Sequence, residues 1–228
     1  MIKKVVYGDI HANFGILKHL KRKHSDLDEI IIAGDFGVGF PGVQNRTLKY
    51  LESHEAAPMI RFIRGNHDSP EACAKLTGSN VQWIPDGTLE DGIMYVGGAY
   101  SIDFDLRTPG FNWWHDEELY DHEWDAIFES IDGKLNDIHT VISHDGPQSI
   151  VRNILPTYKE VVTSRTTLNL EKLRLRLPNV KLWIFGHYHV SYSTYVSGTQ
   201  FVCLPDNGRT HIILEEFNEG GYYEGEKN

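Results

Sequence analysis

The chain has 228 residues, 40% of them hydrophobic and 24% charged, and its 22 basic against 32 acidic side chains leave a formal charge of −10. That is apolar material for one α/β core; composition excludes collagen, coiled coil and disorder, and the acidic balance argues against a nucleic-acid binder that works through a broad basic face. Twelve histidines in an acidic chain raise the question of where the imidazoles sit.

The segment Met1 to Asp9 has too brief an apolar stretch for a secretory signal. No run approaches the roughly 18 apolar residues of a membrane span. Cys73 and Cys203 stand far apart without metal-ligand spacing, which points to a reducing cytoplasm. Three apolar runs of the first third end alike: Val5-Val6-Tyr7 into Gly8-Asp9, Ile30-Ile31-Ile32-Ala33 into Gly34-Asp35, and Met59 to Ile63 into Arg64-Gly65-Asn66. Short β-branched runs stopped by glycine read as buried strands. Asn13 to His24, with Asn13 as N-cap and Phe14, Leu17 and Leu20 on one face, and Val43 to Ser53 read as the helices between them. That alternation implies right-handed crossovers and a parallel sheet, which binds ligands at its carboxyl edge.

Strands are expected next at Val81 to Ile84, Ile93 to Val96 and Ala99 to Ile102, followed by an irregular stretch from Thr108 to Asp116. A helix resumes after Asp121, with Trp124, Ile127, Phe128 and Ile131 at helical spacing. Further strands are expected at Thr140 to Ile142, Lys181 to Phe185, Ser193 to Val196, Phe201 to Leu204 and Thr210 to Leu214, with a helix around Leu168 to Leu177. No linker or repeat divides the chain, so residues 1–214 read as one α/β domain of two sheets with helices outside, and 215–228 as an acidic, Gly-rich tail.

The polar residues at the strand ends carry the chemistry: Asp9 and His11, Asp35, Asn66 with His67 and Asp68, His144 and Asp145, and His187 with His189. In an extended segment residues i and i+2 point the same way, so Asp9 with His11, and His187 with His189, each offer two ligands to one side. Carboxylates, imidazoles and an amide without thiolate suit Mn, Fe, Zn or Ni in a catalytic setting. Seven candidate ligands are too many for one ion and right for two that share a carboxylate. Singly, each has a bland reading as a turn, cap or incidental imidazole. The tetrapeptide Gly65-Asn66-His67-Asp68 is sharper, since a specified tetrapeptide occurs by chance in roughly one chain per thousand of this length.

With Gly8-Asp9-Ile10-His11, Gly34-Asp35, Gly65-Asn66-His67-Asp68, Ser143-His144 and Gly186-His187-Tyr188-His189 in that order, the chain resembles the calcineurin-like metallophosphoesterases from Val5 to about Leu214. The resemblance implies a four-layer αββα sandwich of two mixed sheets flanked by helices. It assigns one metal to Asp9, His11, Asp35 and His189 and the other to Asp35, Asn66, His144 and His187, with Asp35 bridging. Two divalent ions, manganese first and iron, zinc or nickel as alternatives, would activate a bridging hydroxide for in-line attack on phosphorus. His67 would protonate the leaving oxygen, with Asp68 holding its ring. The stretch from Arg107 to Glu118 looks like an insert shared by small bacterial and phage members, which would place the chain in a bacterial or phage-host cytoplasm.

Arg64 could fork onto phosphate oxygens, Trp113 and Trp114 could stack on a base or cap the cleft, and Arg107 could serve the same cleft; each has an ordinary structural reading beside it. The phosphoprotein-phosphatase branch carries Gly-Asp-x-x-Asp-Arg-Gly at the second block, where this chain reads Gly34-Asp35-Phe36-Gly37-Val38-Gly39-Phe40. With the Asp-Arg pair missing and Phe36 and Phe40 making the rim apolar, the expected substrate is a small phosphodiester of the nucleotide or cyclic-nucleotide class. The alternatives are a phosphomonoesterase, including a Ser/Thr phosphoprotein phosphatase, a nuclease, or a non-catalytic scaffold of the same fold. No membrane partner is expected, and oligomeric state is left open.

Overall fold

The computed structural model describes residues 3–40, 49, 58–76, 80–157, 163–206 and 208–214. The helix expected over Val43 to Ser53, Lys49 excepted, and the tail from Glu215 lie outside them.

The first sheet is built from β1 (Lys4–Tyr7), β2 (Glu29–Ile32), β3 (Met59–Phe62) and β4 (Val81–Trp83), all parallel, with β11 (His211–Leu214) antiparallel on the free edge of β1. The second has the order β5 (Leu89–Glu90), β6 (Ile93–Val96), β7 (Thr140–Ser143), β8 (Leu182–Phe185), β10 (Thr199–Cys203), β9 (Tyr192–Val196); β6, β7, β8 and β10 are parallel and the two edge strands antiparallel. Helices α1 (Phe14–Lys23) and α2 (Pro70–Ala74) belong to the first sheet; α3 (Asp121–Ser130), α4 (Gln148–Ile154) and α5 (Arg165–Arg176) belong to the second.

Strand alternation sorts the apolar residues into three cores. Val5 and Tyr7 turn outward onto Phe14, Leu17 and Leu20 of α1. Val6 between them turns inward, with Ile31, Ile63, Ile142 and Ile184, to the layer shared by the two sheets. On the far side Val96, Val141, Trp183 and Phe185 pack against Trp124, Ile127, Leu170 and Leu173. Three apolar layers between four of secondary structure make an αββα sandwich. Each buried Ile, Leu or Phe contributes roughly 1.5–3 kcal/mol by leaving water. Two ion pairs join the sheets as well, Lys4 to Asp91 at 3.2 Å and Arg61 to Glu90 at 2.7 Å.

Two local expectations fail. Residues 99–102 are not a strand: Gly98 takes a left-handed φ of 82°, and Ser101 N donates to the Glu117 carboxylate at 2.8 Å where a ladder would need a carbonyl. Asn13 holds the N-cap position of α1 but its side chain makes no capping hydrogen bond. Cys73 and Cys203 are buried and not bonded to each other. Among the described residues no helix is long and apolar enough to cross a membrane.

Candidate active site

All five blocks meet at the carboxyl ends of β1, β2, β3, β7 and β8. Their glycines are explained by space. A side chain at Gly34, whose φ is 100°, would overlap the His144 ring; one at Gly65 would overlap the Asp35 carboxylate, and one at Gly186 the Asp9 carboxylate. Each of these three glycines is therefore the notch into which another block's polar group fits, whereas Gly8 makes room for the backbone carbonyls of Leu204 and Pro205.

The backbone here is turned, not extended. His11, Ala12, Asp35, His187 and His189 all have left-handed φ, between 44° and 68°. Non-glycine residues held there cost on the order of 1–3 kcal/mol each and persist only where the surroundings over-determine them. Ile10 N and His11 N donate to the Asp35 carbonyl at 3.3 and 2.8 Å, and Ala12 N to the Phe36 carbonyl at 3.0 Å, fastening the first two blocks together. Strand alternation is thus not what brings Asp9 to His11 or His187 to His189; left-handed turns do.

Asp9, His11, Asp35 and His189 present ligand atoms that all lie within 4.8 Å of one another, a group that could hold a metal ion. His189 Nε2 lies 3.0 Å from Asp9 Oδ2 and 2.8 Å from His11 Nε2, and His11 Nδ1 is 3.7 Å from Asp35 Oδ2. On the other side of Asp35, Oδ1 is 3.3 Å from His144 Nε2, which is itself 3.1 Å from Asn66 Oδ1, and the His187 ring lies 5.1 Å from that of His144. Asp35 thus shows one oxygen to each group. His144 Nδ1 is 2.9 Å from the Ala33 carbonyl and donates to it, which turns Nε2 toward Asp35 and Asn66 as the atom that could ligate once its proton is lost.

Asp9 and Asp35 are almost fully buried and ringed by imidazoles. Burial would raise Asp35, but the His144, His67 and His11 rings hold it below the usual carboxylate range. His144 moves the other way, upward, because Asp35 and Asp9 outweigh its own burial. The hydrogen bond to Asp9 also raises His189, whereas burial and the neighbouring His144 depress His187. Anionic oxygen and imidazole nitrogen converging from two sides, with no thiolate among them, is a donor set that fits divalent ions of the Mn, Fe, Zn and Ni type.

His67 stands beside both groups. Its backbone N–H donates to Asp35 Oδ1 at 2.8 Å, its ring stacks on Phe40 with centroids 5.3 Å apart, and its Nε2 lies 2.9 Å from Arg107 NH2. An arginine can only donate, so Nε2 accepts and the ring is neutral in this arrangement. Burial first, then Arg107, lowers its pKa against the pull of Asp35. Arg107 is braced by Asp103 at 2.7 Å and by the Asn112 carbonyl at 3.2 Å, and so does reach the cleft.

Three expectations are corrected. Asp68 does not hold the His67 ring: its buried carboxylate accepts the N–H groups of Phe36 and Gly65 on one oxygen and of Gly37 and Val38 on the other, at 2.6–3.0 Å. It fixes the second and third blocks relative to each other. Arg64 does not fork onto phosphate: it is 3% exposed, with Nε 2.7 Å from Asp86 and NH1 donating to the Asp116 and Glu117 carbonyls at 2.8 and 3.0 Å. Phe36 is no rim residue: fully buried, it stacks on Phe62 at 4.2 Å and packs on Phe14. The two tryptophans diverge. Trp114 leans edge-on against Phe40 at 5.8 Å, and Trp113 turns toward Phe104 and His115 at 5.9 and 4.5 Å.

One element escaped the sequence reading. Asn66 Nδ2 donates to Ser101 Oγ at 2.9 Å, and Ser101 Oγ donates to the buried Glu117 at 2.6 Å. The relay decides which end of the Asn66 amide faces His144. Burial pushes Glu117 up, opposed by the two Ser101 hydrogen bonds. Nothing at residues 101 and 117 marks a pair that meets across 16 positions.

An αββα sandwich whose parallel strands deliver a carboxylate-bridged cluster of imidazoles to one edge defines a class of metal-using phosphoesterases. The chain belongs to the calcineurin-like phosphoesterase family, whose sequence model matches residues 2–191. Members use divalent metal ions. Comparison with curated proteins gives no match. Among solved structures it is similar to a putative 5'-nucleotidase from Staphylococcus aureus, with 14% identity, TM-score 0.56 and coverage of 94% of this chain and 51% of the other. The protein TT1561 of Thermus thermophilus gives 12% identity and TM-score 0.58 over 92% and 93%. A dimetal phosphatase from Danio rerio gives 13% and 0.53 over 92% and 88%. At such identities the likeness carries the fold, and the chain spans about half the length of the Staphylococcus protein.

Proposed function

We propose that this phosphoesterase hydrolyses a small phosphodiester of the nucleotide or cyclic-nucleotide class with two divalent ions, manganese first among them. Asp9, His11, Asp35 and His189 hold one ion, and Asp35, Asn66, His144 and His187 the other. The observation that carries this reading is Asp35, which turns Oδ2 toward His11 and Oδ1 toward His144. When bound, two such ions lower the pKa of water and clamp phosphate oxygens.

The chain's own residues supply the rest. Arg107 hydrogen-bonds His67 Nε2 until a phosphate anion offers a better acceptor; guanidinium-phosphate contacts are charge-assisted and often bidentate. Released from that bond and facing an anion, His67 takes up a proton at Nε2 and gives it to the leaving oxygen. Arg64 is committed to Asp86, so among the described residues Arg107 is the guanidinium beside His67, and one such group matches the single charge of a diester better than the dianion of a monoester. Phe40 and Trp114 line the same side with apolar rings that suit an esterified substituent.

The test is an activity screen after metal reconstitution, comparing bis(p-nitrophenyl) phosphate, p-nitrophenyl phosphate, 2',3'- and 3',5'-cyclic nucleotides and a phosphopeptide. Diesters are expected to turn over fastest; turnover of the phosphopeptide alone would overturn the reading. His67→Ala is expected to lower kcat by roughly 10² to 10⁴ on a poor leaving group while metal content survives.

A further inference from the structure

Beyond Trp113 lies a cavity of about 190 Å³, walled by the rings of Tyr100, Phe104, Trp113 and His115 and by Glu117, Glu118 and Arg165. Its aromatic wall is continuous: the Tyr100 and Phe104 rings are 5.8 Å apart and those of Phe104 and Trp113 5.9 Å, both pairs tilted. Its polar edge mixes signs. Glu118 brings a carboxylate anchored by Thr166 N at 2.8 Å, and Arg165 a guanidinium that lies over the Tyr120 ring at 5.4 Å, with its Nε 4.0 Å from Asp121 and its NH1 3.3 Å from the Leu119 carbonyl.

Two runs of contacts tie this cavity to the strand ends. Glu117, in its wall, holds Ser101, which holds Asn66. Trp113 is followed by Trp114, which leans on Phe40, which stacks on His67. Arg64 grips the Asp116 and Glu117 carbonyls and so fixes the turn that carries the wall. The cavity is thus joined to the cluster through direct contacts.

We propose that this cavity is a subsite for a nucleobase, the heteroaromatic part of a phosphoester whose phosphate lies at the strand ends. Size supports one ring system: whole small-molecule ligands occupy pockets of roughly 300 Å³ and more, so at about 190 Å³ the cavity takes a fragment and leaves the phosphate outside. Chemistry supports a heterocycle over an alkyl group. Tilted aromatic faces receive a flat ring, and a carboxylate beside a guanidinium offers an acceptor and a donor to an edge that carries both. The purpose of the subsite rests on the phosphoesterase reading; its existence does not.

The test uses adenosine, which has a base and no phosphate to hydrolyse, with ribose as the control, titrated calorimetrically into the full chain as purified. Adenosine is expected to bind and ribose not. Trp113→Leu keeps an apolar wall and removes the ring; it is expected to weaken adenosine about tenfold, the scale of lost base stacking, with unchanged circular dichroism. The same variant is expected to lower kcat/KM for a nucleotide diester about tenfold relative to that for dimethyl phosphate. Equal affinity for ribose and adenosine, or no loss in Trp113→Leu, would overturn the subsite. Hydrolysis without adenosine binding removes the subsite and leaves the phosphoesterase; adenosine binding without hydrolysis of any ester does the reverse.

Discussion

The molecule keeps histidines in two clusters that differ in every neighbour that matters. At the strand ends, His11, His144 and His189 face Asp9 and Asp35, on left-handed turns that hold the rings against carboxylates. Against α1, His24 Nε2 shares a hydrogen bond with the Tyr7 hydroxyl at 2.6 Å and faces His211, whose ring stacks on that of Tyr7 with centroids 5.1 Å apart. Burial, and after it His211, pulls His24 down to about 4, whereas Asp9 raises His189. An imidazole among carboxylates is a place for positive charge, and the same ring beside a phenol and a second imidazole is packing. Seven of the twelve histidines thus fall into two clusters of unrelated character, His11, His67, His144, His187 and His189 at the strand ends and His24 with His211 against α1.

The hardest test of that division is substitution. Asp35→Ala removes the group common to both halves of the strand-end cluster and is expected to bring phosphodiester turnover to background, with bound metal lost by elemental analysis. His24→Gln, which keeps an acceptor for Tyr7, is expected to alter neither. Loss of metal in His24→Gln would mean that the two clusters are coupled. A smaller effect should follow from adding ions. A ligand at a hundred times its Kd stabilises by about 2.7 kcal/mol, and for a chain of this size each kcal/mol moves Tm by about 2–4 °C, so manganese should raise Tm by roughly 5–10 °C. The same rise is expected in His24→Gln and none in Asp35→Ala, read by differential scanning calorimetry.

The strand-end cluster was largely legible in the sequence because each member sits within a few residues of the strand that delivers it. Gly8-Asp9, Gly34-Asp35, Gly65-Asn66 and Gly186-His187 announce both the ligand and the notch beside it. The illegible part consists of side chains whose partners lie far along the chain. Arg64 adjoins the Gly-Asn-His-Asp block and looks like a phosphate ligand until Asp86, 22 positions on, claims its Nε. Asp68 follows His67 and looks like its partner, yet its acceptors serve amides about 30 positions back. Phe36 follows Asp35 and turns into the core, while Phe40 of the same glycine-rich loop stacks on His67. Adjacency places a residue at an edge; which way its side chain turns is decided by packing from elsewhere. The fold was legible for the same local reason, since Val5, Val6 and Tyr7 alternate between two cores, and the failure at Ala99 to Ile102 arose where Glu117 replaces a neighbouring strand as hydrogen-bond partner.

The smallest expected effect separates the clusters by the sign of their pH dependence. His24 falls from an unfolded value of 6.5 to about 4 in the fold, so between those values the unfolded chain binds more protons and stability rises with pH, becoming level above 6.5. His189 is raised, so in ion-free protein its contribution is complete below 6.5 and is lost as pH climbs through its folded value. Scanning calorimetry of the ion-free protein should therefore show the Tm advantage of the native chain over His24→Gln growing by roughly 5 °C from pH 4 to 6.5, a comparison in which the buried Asp68 and Asp145, both raised and so opposite in sign over that window, cancel. His24→Gln should leave the decline above pH 6.5 in place. Manganese should remove the decline, because ligation requires the imidazoles bare and replaces the proton as the counter-charge to Asp9 and Asp35. If His24→Gln flattened the upper limb instead, the carboxylates would not be what divides the two sets of histidines.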